Sequence, residues 1–268
     1  MAVFLSFFFF FILFSSANAA SPSSCEQCVL AKATFFRTSK ALSSGACGYG
    51  PLALNFYGGH LAAAHPSIYK KGESCGACFQ IRCKKSGLCK GTGTSIIVTD
   101  LHPDKTNTTD FVLSSRAYRA MALPGKDTQL LQLGIADVEY KRVPCVYKRK
   151  KLALQVEKFS KPSNYLAIKI LYQGGQTPIL GAEVASVDQP STWVSLSRNY
   201  GAVWDTDKAP TGKLTFRFII NSGFDAQYFY TNDGVLPANW KPGVIYNSTV
   251  QINNIGFIGC TPNCKPWK

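Results

Sequence analysis

The run Cys75-Gly76-Ala77-Cys78-Phe79-Gln80-Ile81-Arg82-Cys83 places three cysteines in nine residues. Cys89 follows, and Cys47 stands upstream in Gly45-Ala46-Cys47-Gly48-Tyr49-Gly50. Thiols at such spacing can hold zinc or carry redox chemistry in a reducing compartment, or close into disulfides in an oxidising one. The N-terminus chooses between these chemistries. Residues 1–20 contain an apolar run from Val3 to Phe14, too short to span a bilayer, that ends in the small-residue pattern Ala17-Asn18-Ala19. This is the pattern of a secretion signal, although no Lys or Arg precedes the apolar run. The ten cysteines are therefore expected to form disulfides.

Other reactive groups give weaker signals. His60, His65 and His102 show no metal-ligand spacing, and His102, just before Pro103, reads as a turn residue. No Gly-x-Ser-x-Gly elbow occurs, and bridged cysteines leave no thiolate for a Cys/His site. The net charge of +14 suits acidic partners, among them polyuronides, acidic lipids and nucleic acid, or serves solubility alone. Lys141–Lys161 holds eight Lys/Arg against Glu157, centred on Lys148-Arg149-Lys150-Lys151; it reads as a solvated linker or as a patch for an acidic polymer. Two glycosylation sequons begin at Asn107 and Asn247.

The elements that must position these groups are mostly strands. Eight of the ten cysteines lie between Cys25 and Cys145, which marks a boundary near residues 146–162. Before it, Ser95–Asp100 and Ile135–Val143 read as strands. Phe111–Met121 reads as helical, with Ser114 or Ser115 as N-cap. Short apolar runs without long helices point to a small disulfide-laced β-barrel. After the boundary, apolar residues alternate at Leu152/Leu154/Val156, Leu166/Ile168/Ile170 and Leu214/Phe216/Phe218/Ile220, with Gly-rich turns between them. That pattern predicts an immunoglobulin-like β-sandwich. Alternation sets Tyr165 and Lys169 on one strand face, opposite Leu166 and Ile168.

Taken in order, several motifs resemble the plant expansin superfamily, and most closely its expansin-like A branch. They are Thr34-Phe35-Phe36, Gly45–Gly50, Cys75–Cys83, Val98-Thr99-Asp100, Val138–Cys145, Asn164-Tyr165-Leu166-Ala167 and Asn199-Tyr200-Gly201-Ala202-Val203-Trp204. The resemblance covers nearly the whole chain after the signal. It implies an all-β protein: a double-psi β-barrel like that of family-45 endoglucanases, then an immunoglobulin-like β-sandwich that binds carbohydrate. It places the signal peptide at 1–20, the barrel at 42–148, the sandwich at 162–250 and a Cys-containing extension at 251–268. It also implies disulfides Cys47–Cys75, Cys78–Cys145 and Cys83–Cys89, leaving Cys25, Cys28, Cys260 and Cys264 to tie the termini together or pair locally. A zinc site from those four is possible by count alone.

The same resemblance frames the catalytic question. Inverting glycoside hydrolysis needs an acid and a base carboxyl about 6.5–9.5 Å apart. Where related hydrolases carry His-Phe-Asp, this chain has Asp110-Phe111-Val112, and a valine delivers no proton. No carboxylate follows Phe36. Asp100 and Thr34 remain as a groove remnant, Asp100 serving the groove or capping a turn. The implied carbohydrate strip comprises Tyr165 and Tyr200, with Phe35 and Phe36 in the barrel groove. Trp193, Trp204 and Trp240 are read as core.

The expectation is a secreted, monomeric cell-wall protein without catalytic residues, metal or cofactor. It binds cellulose, xyloglucan or acidic pectin, loosens the wall without hydrolysis, and engages neither nucleic acid nor membrane. The alternative is a weak endoglucanase or lytic transglycosylase using Asp100, with Asp110 assisting. A barwin-like defence protein is disfavoured by the second domain.

Overall fold

The computed structural model describes residues 29–37, 45–102, 108–221 and 225–253. Six strands close into a barrel: β1 (Val29–Phe36), β2 (Leu61–Ala64), β3 (Cys78–Cys83), β4 (Thr94–Leu101), β5 (Phe111–Ser114) and β6 (Ala136–Val143). Their order is β1-β5-β2-β4-β3-β6, with β1/β5 and β2/β4 parallel and the other neighbours antiparallel. β2 and β5 are buried along their whole length. The sequence Leu-Ala-Ala-Ala in β2 suits that position, because its short side chains leave room for Phe56, Phe111 and Tyr118.

Three disulfides staple the barrel, in the pairs that the resemblance implies. Cys47–Cys75 spans 28 residues, Cys78–Cys145 spans 67, and Cys83–Cys89 spans 6. Cys25, Cys28, Cys260 and Cys264, the signal segment and Asn107 lie outside the described residues.

The second unit is one hydrogen-bonded sheet of eight strands folded over its own core. Its strands are β7 (Ala153–Val156), β8 (Leu166–Leu171), β9 (Ile179–Ser186), β10 (Val194–Tyr200), β11 (Val203–Thr206), β12 (Leu214–Asn221), β13 (Ala226–Tyr230) and β14 (Ile245–Asn247), in the order β13-β12-β9-β10-β11-β8-β7-β14. β10 belongs to both layers of the resulting sandwich. Val194–Leu196 pairs with β9, whereas Ser197–Tyr200 pairs with β11. Between the layers lie Leu154, Ile168, Val184, Leu196, Trp204, Phe216 and Phe218.

The two units share packing. Ala153, Leu171 and Ala202 of the sandwich join the barrel's apolar core. The Ala202 N–H donates to Cys47 O at 3.1 Å, and Cys145 and Gly175 exchange backbone hydrogen bonds at 2.8 and 3.1 Å. Gly201 sits so close to the barrel loop that a Cβ there would lie 2.5 Å from Ala46 O, at a φ of +49° that side chains rarely adopt.

Several expectations need adjustment. Phe111–Ser114 is a strand, not the start of a helix, because it pairs with β1 and β2 in the barrel wall. The helix begins at Ser115, with the Ser114 side chain capping it by accepting from the Ala117 N–H. β1 completes the barrel from upstream of residue 42, and β7 adds to the sandwich from upstream of residue 162. Trp204 and Trp240 are buried, as expected, but Trp193 is half-exposed and outside the core.

Chain-entropy scaling gives about 4 kcal/mol for the Cys78–Cys145 loop and about 2 kcal/mol for the Cys83–Cys89 loop. Denaturant unfolding of Cys78→Ala/Cys145→Ala should therefore show roughly twice the loss of Cys83→Ala/Cys89→Ala. Equal losses would contradict that scaling.

Candidate functional site

Backbone register gathers the residues of the expected groove into one row across four neighbouring strands. Thr34 on β1 pairs with Val112 on β5, Val112 with Ala63 on β2, and Ala63 with Asp100 on β4. Asp100 and Val112 thus lie two strand spacings apart, about 10 Å between backbones. Val112 is 5% exposed. Thr34 Oγ1 donates to Gly134 O at 2.9 Å.

Asp100 Oδ1 accepts from the Ala46 N–H at 2.6 Å and from its neighbour Leu101 N–H at 2.7 Å. Burial raises its carboxyl above the ordinary value; the two N–H donors and nearby His102 act in the opposite direction. Tyr69 donates its hydroxyl to Ala46 O at 3.2 Å, and its phenol is raised first by burial and then by the Asp100 charge. His102 is no exposed turn residue. It is buried, its N–H donates to Ala64 O, and its Nε2 lies 2.8 Å from Thr109 Oγ1. It follows Asp100 by two residues, just past the end of β4, a spacing that the turn reading left unused.

Asp110 is committed elsewhere. Its carboxylate accepts from the Lys32 N–H at 2.8 Å, while its own N–H and C=O bond to Lys32 and His65. Alternation splits the two phenylalanines of β1. Phe36 shares the parity of Thr34, whereas Phe35 packs on buried Tyr118 with ring centroids 4.8 Å apart. Phe35 therefore does not join the groove row.

Tyr200 lies on the sandwich beside the barrel loop of Gly45–Gly50, and Tyr165 is reached by its neighbour Asn199. Tyr200 is 42% exposed and rests on Gly48, where a Cβ would come 2.6 Å from Tyr200 Cε2. Gly48 also has φ +76°, so glycine is needed there twice over. Tyr165 hydrogen-bonds to the Asp205 carboxylate, which Asn199 Nδ2 also reaches. Burial, then Asp205, push its phenol up to about 12. Its hydroxyl is thus held as a proton donor and its ring is fixed. Exposed Phe159 flanks it at 6.1 Å between centroids, an aromatic that the strand pattern did not single out because it lies in a turn. Lys169, set by alternation on the strand face of Tyr165, is buried in an ion pair with Glu157 at 2.8 Å and bonded to Gln155 at 3.3 Å. Under the basic linker, a cleft is lined by Val146, Tyr147, Arg149, Lys150 and Lys151, with Lys150 Nζ 4.1 Å from the centre of the Tyr172 ring. Asn247 is exposed.

Comparison with known proteins places this geometry. A family model described as Expansin C-terminal domain matches residues 152–237, and one described as Lytic transglycolase matches 61–140. Expansin-like A2 of Arabidopsis thaliana is 53% identical over 94% of this chain and 93% of its own. Expansin-like A3 of the same plant is 52% identical over the full length of both. Among solved structures, an apo expansin of Clavibacter michiganensis superposes with a TM-score of 0.62 at 18% identity, covering 84% of this chain and 98% of its own. A variant of that protein, solved in complex with cellohexaose, gives the same score and identity over 83% and 98%.

Because burial raises the Asp100 carboxyl in the folded state, its ionisation opposes folding. The opposition is absent below the unfolded value and grows as pH rises through the folded one. Asp100→Asn keeps an acceptor for both N–H groups but cannot ionise. From about pH 4 to 7, the wild-type melting midpoint should therefore decline relative to that of Asp100→Asn. A constant difference across that range would contradict the assignment.

Proposed function

This chain belongs to the expansin superfamily, in its expansin-like A branch, and on that premise we propose that it is a secreted cell-wall protein that binds wall glucans and loosens their contacts without cutting them. The observation that carries this reading is the seat of Tyr200 on Gly48. The loop that bonds Asp100 is also the support of an exposed aromatic ring, so barrel groove and aromatic strip form one surface. Sugar C–H faces stack on Tyr rings, and the fixed hydroxyl of Tyr165 adds a polar contact at the strip. Tyr165 and Tyr200 grip a glucan, Phe159 extends the grip, and Thr34, Phe36 and Asp100 engage the chain further along the groove. Binding energy then favours separated polymers.

The carboxyl pair that hydrolysis needs is incomplete in this row. Acid and base carboxyls must flank the bond. Asp100 provides one carboxyl, Val112 fills the place across the row, and Asp110 is tied to the β1 backbone. The match to the lytic transglycolase model is therefore taken as kinship of the barrel rather than of the reaction. The remaining features fit the same setting: removal of residues 1–20, export as a monomer to the wall, glycans on Asn107 and Asn247, and a short Cys-containing extension at 251–268. The basic linker cleft suits pectin as a secondary, charge-driven partner, whose binding should weaken as salt screens it.

With about 1 kcal/mol per stacked ring, Tyr165→Ala/Tyr200→Ala should weaken retention on cellulose about thirtyfold. Wild-type protein incubated with xyloglucan or cellulose should release no reducing ends. Unchanged retention would sink the platform, and steady release of reducing ends would overturn the non-hydrolytic mechanism.

A further inference from the structure

The other layer of the sandwich carries an aromatic face that the glucan strip does not use. Along β13, Phe229 packs toward the core while Tyr228 and Tyr230 point away from it, each 51% exposed. Register aligns Tyr230 with Arg217, Arg217 with Glu183, and Glu183 with Ser195, in one row across four strands. Trp193 stands two residues before Ser195, with its ring centroid 5.9 Å from that of Tyr230. Arg217 is clamped at the centre. Its guanidinium lies 4.3 Å from the Trp193 ring and 4.3 Å from the Tyr228 ring, and its Nε is ion-paired to the Glu183 carboxylate. An exposed aromatic group locked this firmly is preorganised, and patches of this kind mark binding sites.

We infer that this face is a second glycan site, and that its occupant is a single uncharged β-linked glucan chain. Three observations select that occupant. The first is charge. On a chain of net +14, Arg217 is cancelled by Glu183, and the adjoining cleft sets Asp205 and Asp207 against Lys208. A polyanion meets one carboxylate in excess here, whereas a neutral polymer is not repelled by it. The second is shape. Trp193 and Tyr230 are inclined at 72°, and Tyr228 and Tyr230 at 44°, so the rings cannot lie flat on a crystal face but can cup one twisted chain. The third is continuity. A cleft of about 530 Å³ runs from Trp193 past Ser195 and Ser197 to Asp205 and Tyr165, joining this face to the edge of the proposed glucan strip. The sandwich then holds one chain on each layer, which makes it a bridge between two polymers. Only that shared edge rests on the function proposed above.

Calorimetric titration of the full-length protein with cellohexaose tests the inference. Wild type should bind two molecules. Tyr228→Ala/Tyr230→Ala and Tyr165→Ala/Tyr200→Ala should each leave one, and the fourfold variant none. If Tyr228→Ala/Tyr230→Ala keeps wild-type stoichiometry and affinity, the second site does not exist and the first reading stands. If only Tyr165→Ala/Tyr200→Ala is without effect, the first reading fails and the second site stands. Sedimentation that shows a dimer in wild type, lost in Tyr228→Ala/Tyr230→Ala, would make the face a contact between two copies and overturn the inference. Should the Tyr228→Ala/Tyr230→Ala variant fail to fold, Trp193→Phe serves instead. The difference in tryptophan emission between wild type and Trp193→Phe should shift on addition of cellohexaose, and an unshifted difference spectrum overturns the site.

Discussion

The hydrogen bond from the Ala46 N–H to the Asp100 carboxylate, 2.6 Å long, fixes where the loop from Gly45 to Gly50 runs. Much else depends on that path. Cys47 in the same loop is tied to Cys75, and its carbonyl accepts from Ala202 of the sandwich. Gly48 supports Tyr200, and Gly201 packs on Ala46 and Cys47. One carboxylate therefore holds together groove, disulfide frame and aromatic strip. The arrangement has a cost, since burial makes the charged form of Asp100 less favourable than in water. Asp100 is in this position a structural organiser of the loop on which the proposed glycan surface rests.

The join between the domains is close-packed rather than linked by a tether. Arg198 shows how. Its guanidinium donates to Gly72 O of the barrel at 3.3 Å, and to Gly201 O and Ile179 O of the sandwich at 2.6 and 2.8 Å, while lying 4.2 Å from the centre of the Trp204 ring. A single planar side chain thus satisfies three carbonyls across the junction, which the fork geometry of arginine allows and lysine would not. The linker that follows Cys145 contributes charge to the surface, while the backbone exchange of Cys145 with Gly175 carries the register.

Much of this was legible in the sequence. Period-two alternation identified the sandwich strands, and the cysteine spacing, behind a segment that reads as a secretion signal, pointed to a disulfide barrel. The resemblance supplied the partners of Cys47, Cys78 and Cys83, which spacing alone leaves open. Other features were invisible for physical reasons. Phe111–Ser114 reads as helical but forms a strand, because pairing with β1 and β2 decides its conformation. The burial of Lys169 gave no sequence signal, because its partner Glu157 is twelve residues away and meets it only where β7 and β8 pair. Trp193 reads as core because large aromatics usually are, and only the clamp on Arg217 explains its place at the surface.

The central claim is that groove and aromatic strip act as one surface around the loop of Ala46 and Gly48. Hydrogen exchange of the full-length protein, with and without cellohexaose, tests it most directly. Protection should appear together at the backbone amides of Ala46 and Leu101 in the barrel and along Asn199–Val203 in the sandwich. Protection confined to the sandwich, with the barrel amides unchanged, would contradict it.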